Sequence, residues 1–165
     1  MQHVQPRSTT SALVLTAVLI ALATLFTMYT KIPVPGIRGY FNVGDVVIMT
    51  SALLLGRKYG AYIGAIGPAL ADLFLGYAVF VPITFVVKGI EGYLVGTVYN
   101  NKTTTSALVA TVVGGIIIVA GYFIAEYFVF DPGVAIAGIL TNTIQAVMSV
   151  IISMILYAIL RKRLG

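Results

Sequence analysis

The chain alternates between long hydrophobic runs and short segments that are polar or rich in glycine and proline. A helix of about 20 apolar residues crosses the roughly 30 Å hydrocarbon core of a bilayer. The runs predict six transmembrane helices within one membrane domain over residues 1–165: 10–30, 43–55, 59–78, 80–99, 104–128 and 133–160. The predicted fold class is therefore an all-α membrane protein, a bundle of six helices.

The second hydrophobic run is shorter than the others. At about 1.5 Å per residue, residues 43–55 form a helix of only about 20 Å, so this helix is predicted to start below the membrane surface. The segment before it, Lys31–Asp45, contains two prolines and three glycines and cannot be one continuous helix. Non-helical backbone at membrane depth is tolerated where it is buried in protein or lines a cavity. We therefore predict an ordered loop that covers part of the bundle.

Composition and charge agree with a membrane location. The chain is 59% hydrophobic and 9% charged, and its mean hydropathy is +1.03. Basic residues concentrate on the cytoplasmic side of membrane proteins. With the N-terminus inside, seven basic residues fall on the cytoplasmic side and two, Lys31 and Arg38, on the outer side. Both termini are therefore predicted to lie in the cytoplasm of a bacterial or archaeal cell, and the net charge of +5 does not indicate a nucleic-acid partner.

Polar residues interrupt the hydrophobic runs at a similar depth, toward the outer side. Counting about 1.5 Å per residue from each helix start gives this set: Asp72, Lys88, Glu91, Tyr122, Glu126, Asn142 and Gln145. Ionisable groups inside a bilayer are costly and commonly mark functional sites. Together with Tyr40, Phe41, Asn42 and Asp45 of the loop, they predict a ligand pocket that opens on one face of the membrane.

Structural roles compete with ligand contact for several of these residues. Lys88 and Glu91 are i, i+3 neighbours, and Asp72 could complete an ion-pair cluster with them. Asn142 and Gln145 also share a helix face and could only join helices by hydrogen bonds. Glu126 is expected to reach the outer interface rather than the pocket.

Small residues recur at helical spacing on three of the predicted helices. Gly56-x-x-x-Gly60-x-x-x-Gly64 and Gly92-x-x-x-Gly96 place glycines on one helix face, which predicts close packing between helices. Ala17-x-x-x-Ala21 on the first helix is a weaker signal, because alanine is frequent throughout the chain.

Motifs of enzymatic chemistry are absent from the sequence. It has no Gly-x-x-x-x-Gly-Lys-Ser/Thr phosphate loop, no His-Glu-x-x-His zinc motif, no dinucleotide fingerprint and no cysteine. We therefore expect no metal, no cofactor and no ATPase activity of its own. A one-sided pocket without an energy source predicts a receptor subunit that depends on partners.

Several motifs, taken in order, resemble the S component of energy-coupling factor (ECF) vitamin transporters. They are Phe41-Asn-Val-Gly-Asp45, Gly56-Arg-Lys-Tyr-Gly60, Gly64-x-x-Gly67-Pro68-x-x-x-Asp72, Lys88-Gly-x-Glu-Gly92 and Thr141-Asn-x-x-Gln145. The resemblance covers essentially the whole chain. It is strongest to the subgroup assigned to hydroxymethylpyrimidine, the thiamine precursor, or to pyridoxine.

This resemblance implies a mechanism and a set of residues. An S component binds a vitamin from outside with its first loop as a gate, then associates with a membrane T component and two cytoplasmic ATPases that drive release inward. The implied gating residues are Pro35, Gly36, Tyr40 and Asp45. The implied substrate-binding residues are Phe41, Asn42, Lys88, Glu91, Tyr122, Asn142 and Gln145. Ala17 and Ala21 match the alanine motif that contacts the T component in this family.

Two other classes of function stay open at this point. An autonomous secondary carrier or channel, working as a homo-oligomer, would use Asp72, Lys88 and Glu91 as an ion relay. A membrane scaffold would use the polar residues only to join helices. For a receptor, carboxylate and amide groups suit a small hydroxylated nitrogen heterocycle, and without tryptophan any ring stacking must use Tyr or Phe. A pyrimidine or pyridine alcohol fits, with riboflavin and pantothenate as alternatives.

Overall fold

The computed structural model describes residues 9–33, 40–99 and 103–164. Within them the chain forms six helices: α1 (Thr9–Tyr29), α2 (Asp45–Leu55), α3 (Arg57–Phe74), α4 (Phe80–Val98), α5 (Thr104–Val129) and α6 (Pro132–Leu164). Two short strands, β1 (Ile32–Pro33) and β2 (Tyr40–Phe41), pair antiparallel between α1 and α2. The six-helix bundle is confirmed, although α3 lies earlier in the chain than the predicted 59–78 and α6 continues past residue 160.

The helices differ in their ability to cross a membrane. Among the described residues, α1, α4, α5 and α6 contain stretches that are long and apolar enough to span one. Helix α3 has 18 residues but carries Arg57, Lys58 and Asp72. Helix α2 has 11 residues, or about 16 Å, so it cannot span the hydrocarbon core alone, as the short hydrophobic run predicted.

The bundle has two ends, which we name by the chain segments there. The loop end is where α1 ends and α2 and α4 begin, and the terminal end is where α1 begins and α6 ends. At the terminal end a single residue, Gly56, joins α2 to α3 with φ at 89°, in the left-handed region that favours glycine. The chain therefore reverses there without a loop.

Helix α2 lies at the centre of the bundle. It packs against all five other helices, and nine of its 11 residues are buried. A helix that is apolar on every side is stable when other helices surround it. Its entry is held by a short polar turn, in which the backbone N–H of Gly44 donates to Asn42 Oδ1 at 2.8 Å.

Helices α3 and α4 approach closely along the predicted glycine positions. A Cβ added to Gly60 would meet the carbonyl oxygen of Gly92 at 2.5 Å, and one added to Gly96 would collide with the backbone of Arg57. The packing role predicted for these glycines is therefore confirmed.

The apolar core lies between α2 and the terminal halves of the longer helices. Its buried members include Met49, Leu53, Val95 and Ile118. Near the terminal end of this core the hydroxyl groups of Tyr99 and Tyr157 are hydrogen-bonded at 2.6 Å. The loop-end halves of the same helices leave a polar space instead.

Candidate binding site

A cavity lies at the loop end, beyond the first residue of α2, where the other five helices continue. Because α2 begins inside the bundle, it does not fill the space between the loop-end turns of the neighbouring helices. The cavity is lined by Thr27, Asn42, Pro68, Asp72, Phe80, Thr84, Lys88, Tyr122, Glu126, Thr141, Asn142 and Gln145. Every helix except α2 contributes at least one lining side chain.

The cavity is small. Its volume is about 40 Å³, measured as the space open to the centre of a water molecule, and one water needs roughly 10–15 Å³ on this measure. The space bounded by the described residues therefore has room for a few water molecules.

A buried ion pair forms the floor of the cavity. Lys88 Nζ on α4 contacts Asp45 Oδ1 at the start of α2, and Glu91 Oε2 lies 3.6 Å from the same Nζ. All three residues are at most 1% exposed. A buried ammonium needs such partners, because an unpaired charge away from water is very costly. Lys88 is therefore occupied by protein carboxylates.

Gln145 connects this floor to the end of the first loop. Its Oε1 accepts from the backbone N–H of Asn42 at 3.0 Å, and its Nε2 donates to Asp45 Oδ2 at 2.7 Å. The side chain thus joins α6, the chain just after β2 and α2 in one network. Gln145 therefore links the Asn42 backbone to the carboxylate that pairs with Lys88.

The walls of the cavity carry aromatic and hydroxyl groups. The Tyr122 and Thr84 hydroxyl groups are hydrogen-bonded at 2.9 Å, and Lys88 Nζ lies 5.4 Å from the centroid of the Tyr122 ring. Phe80 lines the cavity and packs against Phe130, with ring centroids 5.4 Å apart. Among the described lining residues, Tyr122 and Phe80 are thus the aromatic side chains that a ring-shaped ligand could contact.

Carboxylates outnumber cations in and below the cavity. Asp72 and Glu126 line it and are 3% and 4% exposed, while Asp45 and Glu91 contact Lys88 from beneath. Four carboxyl groups and one ammonium group therefore lie in or directly below the cavity. Placing like charges together costs several kcal/mol, so the cavity disfavours an anionic ligand.

Most of the predicted binding residues meet at this cavity. Asn42, Lys88, Tyr122, Asn142 and Gln145 line it. Glu91 differs from the prediction, because it contacts Lys88 and is absent from the lining. The Phe41 backbone belongs to β2, and its side chain lies outside the described residues.

The predicted gating residues divide into two groups. Asp45 is wrongly placed in the loop by the sequence interpretation: it is the first residue of α2, fully buried and paired with Lys88. Pro35 and Gly36 lie outside the described residues, as does the side chain of Tyr40, whose backbone pairs in β2.

The sequence predicted a different position for one other lining residue and did not predict several more. The interfacial position expected for Glu126 is wrong, since this side chain is buried in the cavity wall. Thr27, Thr84 and Thr141 also line the cavity. A threonine in a hydrophobic run carries little signal, because its hydroxyl commonly bonds to its own helix backbone. Asp72, which the sequence grouped with Lys88 and Glu91, lines the cavity on α3.

The fold is that of a helical membrane protein with a cavity at one end of the bundle, and comparison with known families gives its class. Residues 7–162 match the model of a family described as ECF-type riboflavin transporter, S component. The chain therefore belongs to the family of ECF-type transporter S components and is an integral membrane protein.

Individual relatives come from a bacterium and an archaeon. The thiamine precursor transporter HmpT of Lactococcus lactis subsp. cremoris (strain MG1363) is 30% identical over 149 residues, which cover 89% of this chain and 83% of the relative. An uncharacterized protein in the gap 3′ region of Pyrococcus woesei is 42% identical over 145 residues, covering 86% of this chain and 96% of the relative.

A solved structure shares the fold. The S component of a bacterial ECF transporter superposes with a TM-score of 0.74 and 19% identity, over 96% of this chain and 99% of that one. The likeness covers nearly the whole chain, and it concerns the fold alone.

Proposed function

We propose that the chain captures a small heterocyclic vitamin or vitamin precursor from outside the cell, with hydroxymethylpyrimidine or pyridoxine favoured, and delivers it within an ATP-driven ECF importer. The observation that carries this proposal is the polar cavity of about 40 Å³ at the loop end. Its lining combines aromatic faces, an amide pair and carboxylates, which together suit a hydroxylated nitrogen heterocycle.

The size of the cavity bears on the choice among vitamins. The family is named for riboflavin, whereas the Lactococcus relative is named for a thiamine precursor. Riboflavin carries three fused rings and a ribityl chain, and a space of a few water volumes is much smaller. A ligand with one ring is consistent with this space, so the two single-ring compounds are preferred.

The floor of the cavity favours a receptor over an autonomous carrier or channel. Within the described part of the chain, the cavity stops at Lys88 and Gln145, and the apolar core begins below them. A carrier working alone needs a second arrangement that opens this floor and breaks the buried ion pair. Release therefore requires work from partners, here a membrane T component and two cytoplasmic ATPases.

The first loop is the proposed gate. Strands β1 and β2 hold the two sides of residues 34–39 together, and the Asn42 backbone is bonded to Gln145 beside the cavity. Opening the gate would break this bond, and a ligand that contacts Gln145 would restore it. Pro35, Gly36 and Tyr40 remain proposed gating residues.

Ala17 and Ala21 are the proposed docking positions for the T component. Both are exposed on α1, while the intervening turn carries larger side chains. Small residues on a lipid-facing helix surface permit close approach of another helix. The face is thus available to a partner in the membrane.

Thermal stability of the detergent-purified chain tests ligand capture. A ligand at 100 times its dissociation constant adds about 2.7 kcal/mol. We expect a large stabilisation by hydroxymethylpyrimidine or pyridoxine and little by thiamine, riboflavin or pantothenate. A shift with riboflavin alone would contradict the size argument, and no shift with any of the five would contradict the proposal.

Uptake into vesicles separates the receptor from the carrier. We expect accumulation only when the T component, the ATPases and ATP are present, and uptake driven by an ion gradient through this chain alone would overturn the receptor assignment. Ala17→Leu with Ala21→Leu should abolish uptake while ligand binding persists. Ala137→Leu, at an exposed alanine on α6, is the matched control and should retain uptake.

A further inference from the structure

We propose that Glu126 is the specificity-determining acceptor of the cavity and selects ligands that present an amino group beside a ring nitrogen. This inference rests on the proposed function, because it names the ligand class that the same cavity takes. It concerns a residue that the sequence interpretation placed at the membrane interface.

Glu126 has a buried carboxylate oxygen, Oε2, to which the described residues give no hydrogen bond. Buried oxygens of Asp72 and Glu91 also lack a hydrogen bond, but Glu91 lies beside Lys88 and Asp72 has a further interaction within the chain. Glu126 lines the cavity and is 4% exposed. Buried polar atoms are nearly always paired, and an unpaired carboxylate oxygen is costly. A donor from the ligand would remove this cost.

The one ammonium group of the cavity and one of its amide side chains are already engaged by protein groups. Lys88 contacts the carboxylates of Asp45 and Glu91, and both polar atoms of Gln145 have protein partners. Two carboxylates line the cavity, Asp72 and Glu126. Asp72 has a further interaction within the chain, so we assign Glu126 as the acceptor for the ligand. The cavity would therefore recognise the ligand through hydrogen bonds that the ligand donates.

The fold makes room for this carboxylate. A Cβ at Gly138 on α6 would collide with Glu126 Oε2, so the absence of a side chain at residue 138 lets the carboxylate lie between α5 and α6. This places it next to Asn142, whose Nδ2 is 3.5 Å from the same Cβ position. Glu126 and Asn142 thus form one polar edge of the cavity.

The chemistry of this edge points to an aminopyrimidine. Carboxylates accept hydrogen bonds from exocyclic amines of pyrimidines, and two parallel N–H donors bind a carboxylate with added strength. An amino group next to a protonated ring nitrogen presents two such donors. The excess of carboxylates around the cavity also opposes a phosphate ester of the same compound.

The test compares two probes on two forms of the full chain in detergent. The probes are 4-amino-5-hydroxymethyl-2-methylpyrimidine and the analogue whose amino group is replaced by hydrogen, and their affinities are measured by titration calorimetry. We expect the wild type to prefer the amino compound by about 10- to 100-fold. Glu126→Leu should reduce this preference to less than about threefold, with Glu126→Gln between the two.

A second readout separates recognition from structural support. Removing an unpaired buried carboxylate should raise the melting temperature of the ligand-free protein while it lowers affinity for the amino compound. A residue with only a structural role would lower both. Asp131→Asn alters an exposed carboxylate at the start of α6 and should leave the preference unchanged.

Failure of the Glu126 inference and failure of the proposed function give different results. If the wild type binds both probes equally, or if Glu126→Leu weakens both equally, this inference is overturned while the proposed function stands. If the wild type binds neither these probes nor any vitamin of the panel, the proposed function fails and the inference falls with it. Binding of the phosphate ester as tightly as the alcohol would contradict the charge argument and overturn the inference.

Discussion

The two ends of the bundle use the same helices in opposite ways. At the terminal end, α3 and α4 touch at Gly60 and Gly92, and apolar side chains such as Met49 and Val95 fill the core around α2. At the loop end, the central helix is missing and buried charges surround a cavity. Dense packing and a binding site therefore occupy separate halves of one small domain.

The two halves differ because buried apolar side chains and buried charged side chains have different requirements. Apolar side chains and glycines need only shape complementarity, so they form a rigid end at native density. Charges below the surface need partners in defined positions, and at the loop end Oε2 of Glu126 is buried without a hydrogen-bond partner among the described residues. The loop-end half is therefore expected to be less stable than a fully apolar core, while its polar groups can contact a ligand.

The largest loss of stability is expected from a change in the buried ion pair at the loop end. Lys88→Met should destabilise the protein by about 3–5 kcal/mol, because Asp45 and Glu91 would remain buried without their cation. Unfolding in detergent measures the effect. Lys58→Met, at an exposed lysine of the terminal end, is the control and should change stability by less than about 0.5 kcal/mol.

A double variant checks the cause of that loss. Asp45→Asn combined with Lys88→Met should recover part of the stability, because one of the two uncompensated charges is gone. If Lys88→Met alone is as stable as the wild type, the floor of the cavity is not held by this pair.

The glycine contact at the terminal end gives the next largest effect. Gly60→Ala brings a Cβ to 2.6 Å from Ala52 Cβ and 2.5 Å from the Gly92 carbonyl oxygen, so we expect a loss of about 1–3 kcal/mol with unchanged ligand affinity. Gly115→Ala, where the new Cβ meets Ala146 Cβ at 3.2 Å, should cost less. Equal losses at both positions would contradict the assignment of close backbone packing to α3 and α4.

Two tyrosines, one at each end of the bundle, are predicted to have the smallest effects on stability and to distinguish the two ends by ligand binding. Tyr157→Phe removes the bond to Tyr99, and Tyr122→Phe removes the bond to Thr84. Each should cost about 1 kcal/mol of stability. Only Tyr122→Phe should also weaken ligand binding, since Tyr122 lines the cavity. Weaker binding in both variants would show that the two ends are coupled.

The sequence by itself determined the fold class, the short second helix and the end of the bundle at which polar groups collect. These follow from local signals: the length of each hydrophobic run, the spacing of glycines, and the expense of placing Lys88, Asn142 and Gln145 in a membrane. The family resemblance rested on the same short motifs, and membership was confirmed over residues 7–162.

Only the tertiary structure decided which polar groups face the ligand and which face each other. Asp45 pairs with Lys88 across 43 residues of sequence, and Glu126 is buried because α6 offers a glycine against it. Residue spacing within one helix predicts which side chains share a face, but it does not report what stands opposite that face. Partners on other helices therefore decided the roles of Asp45, Glu91 and Glu126.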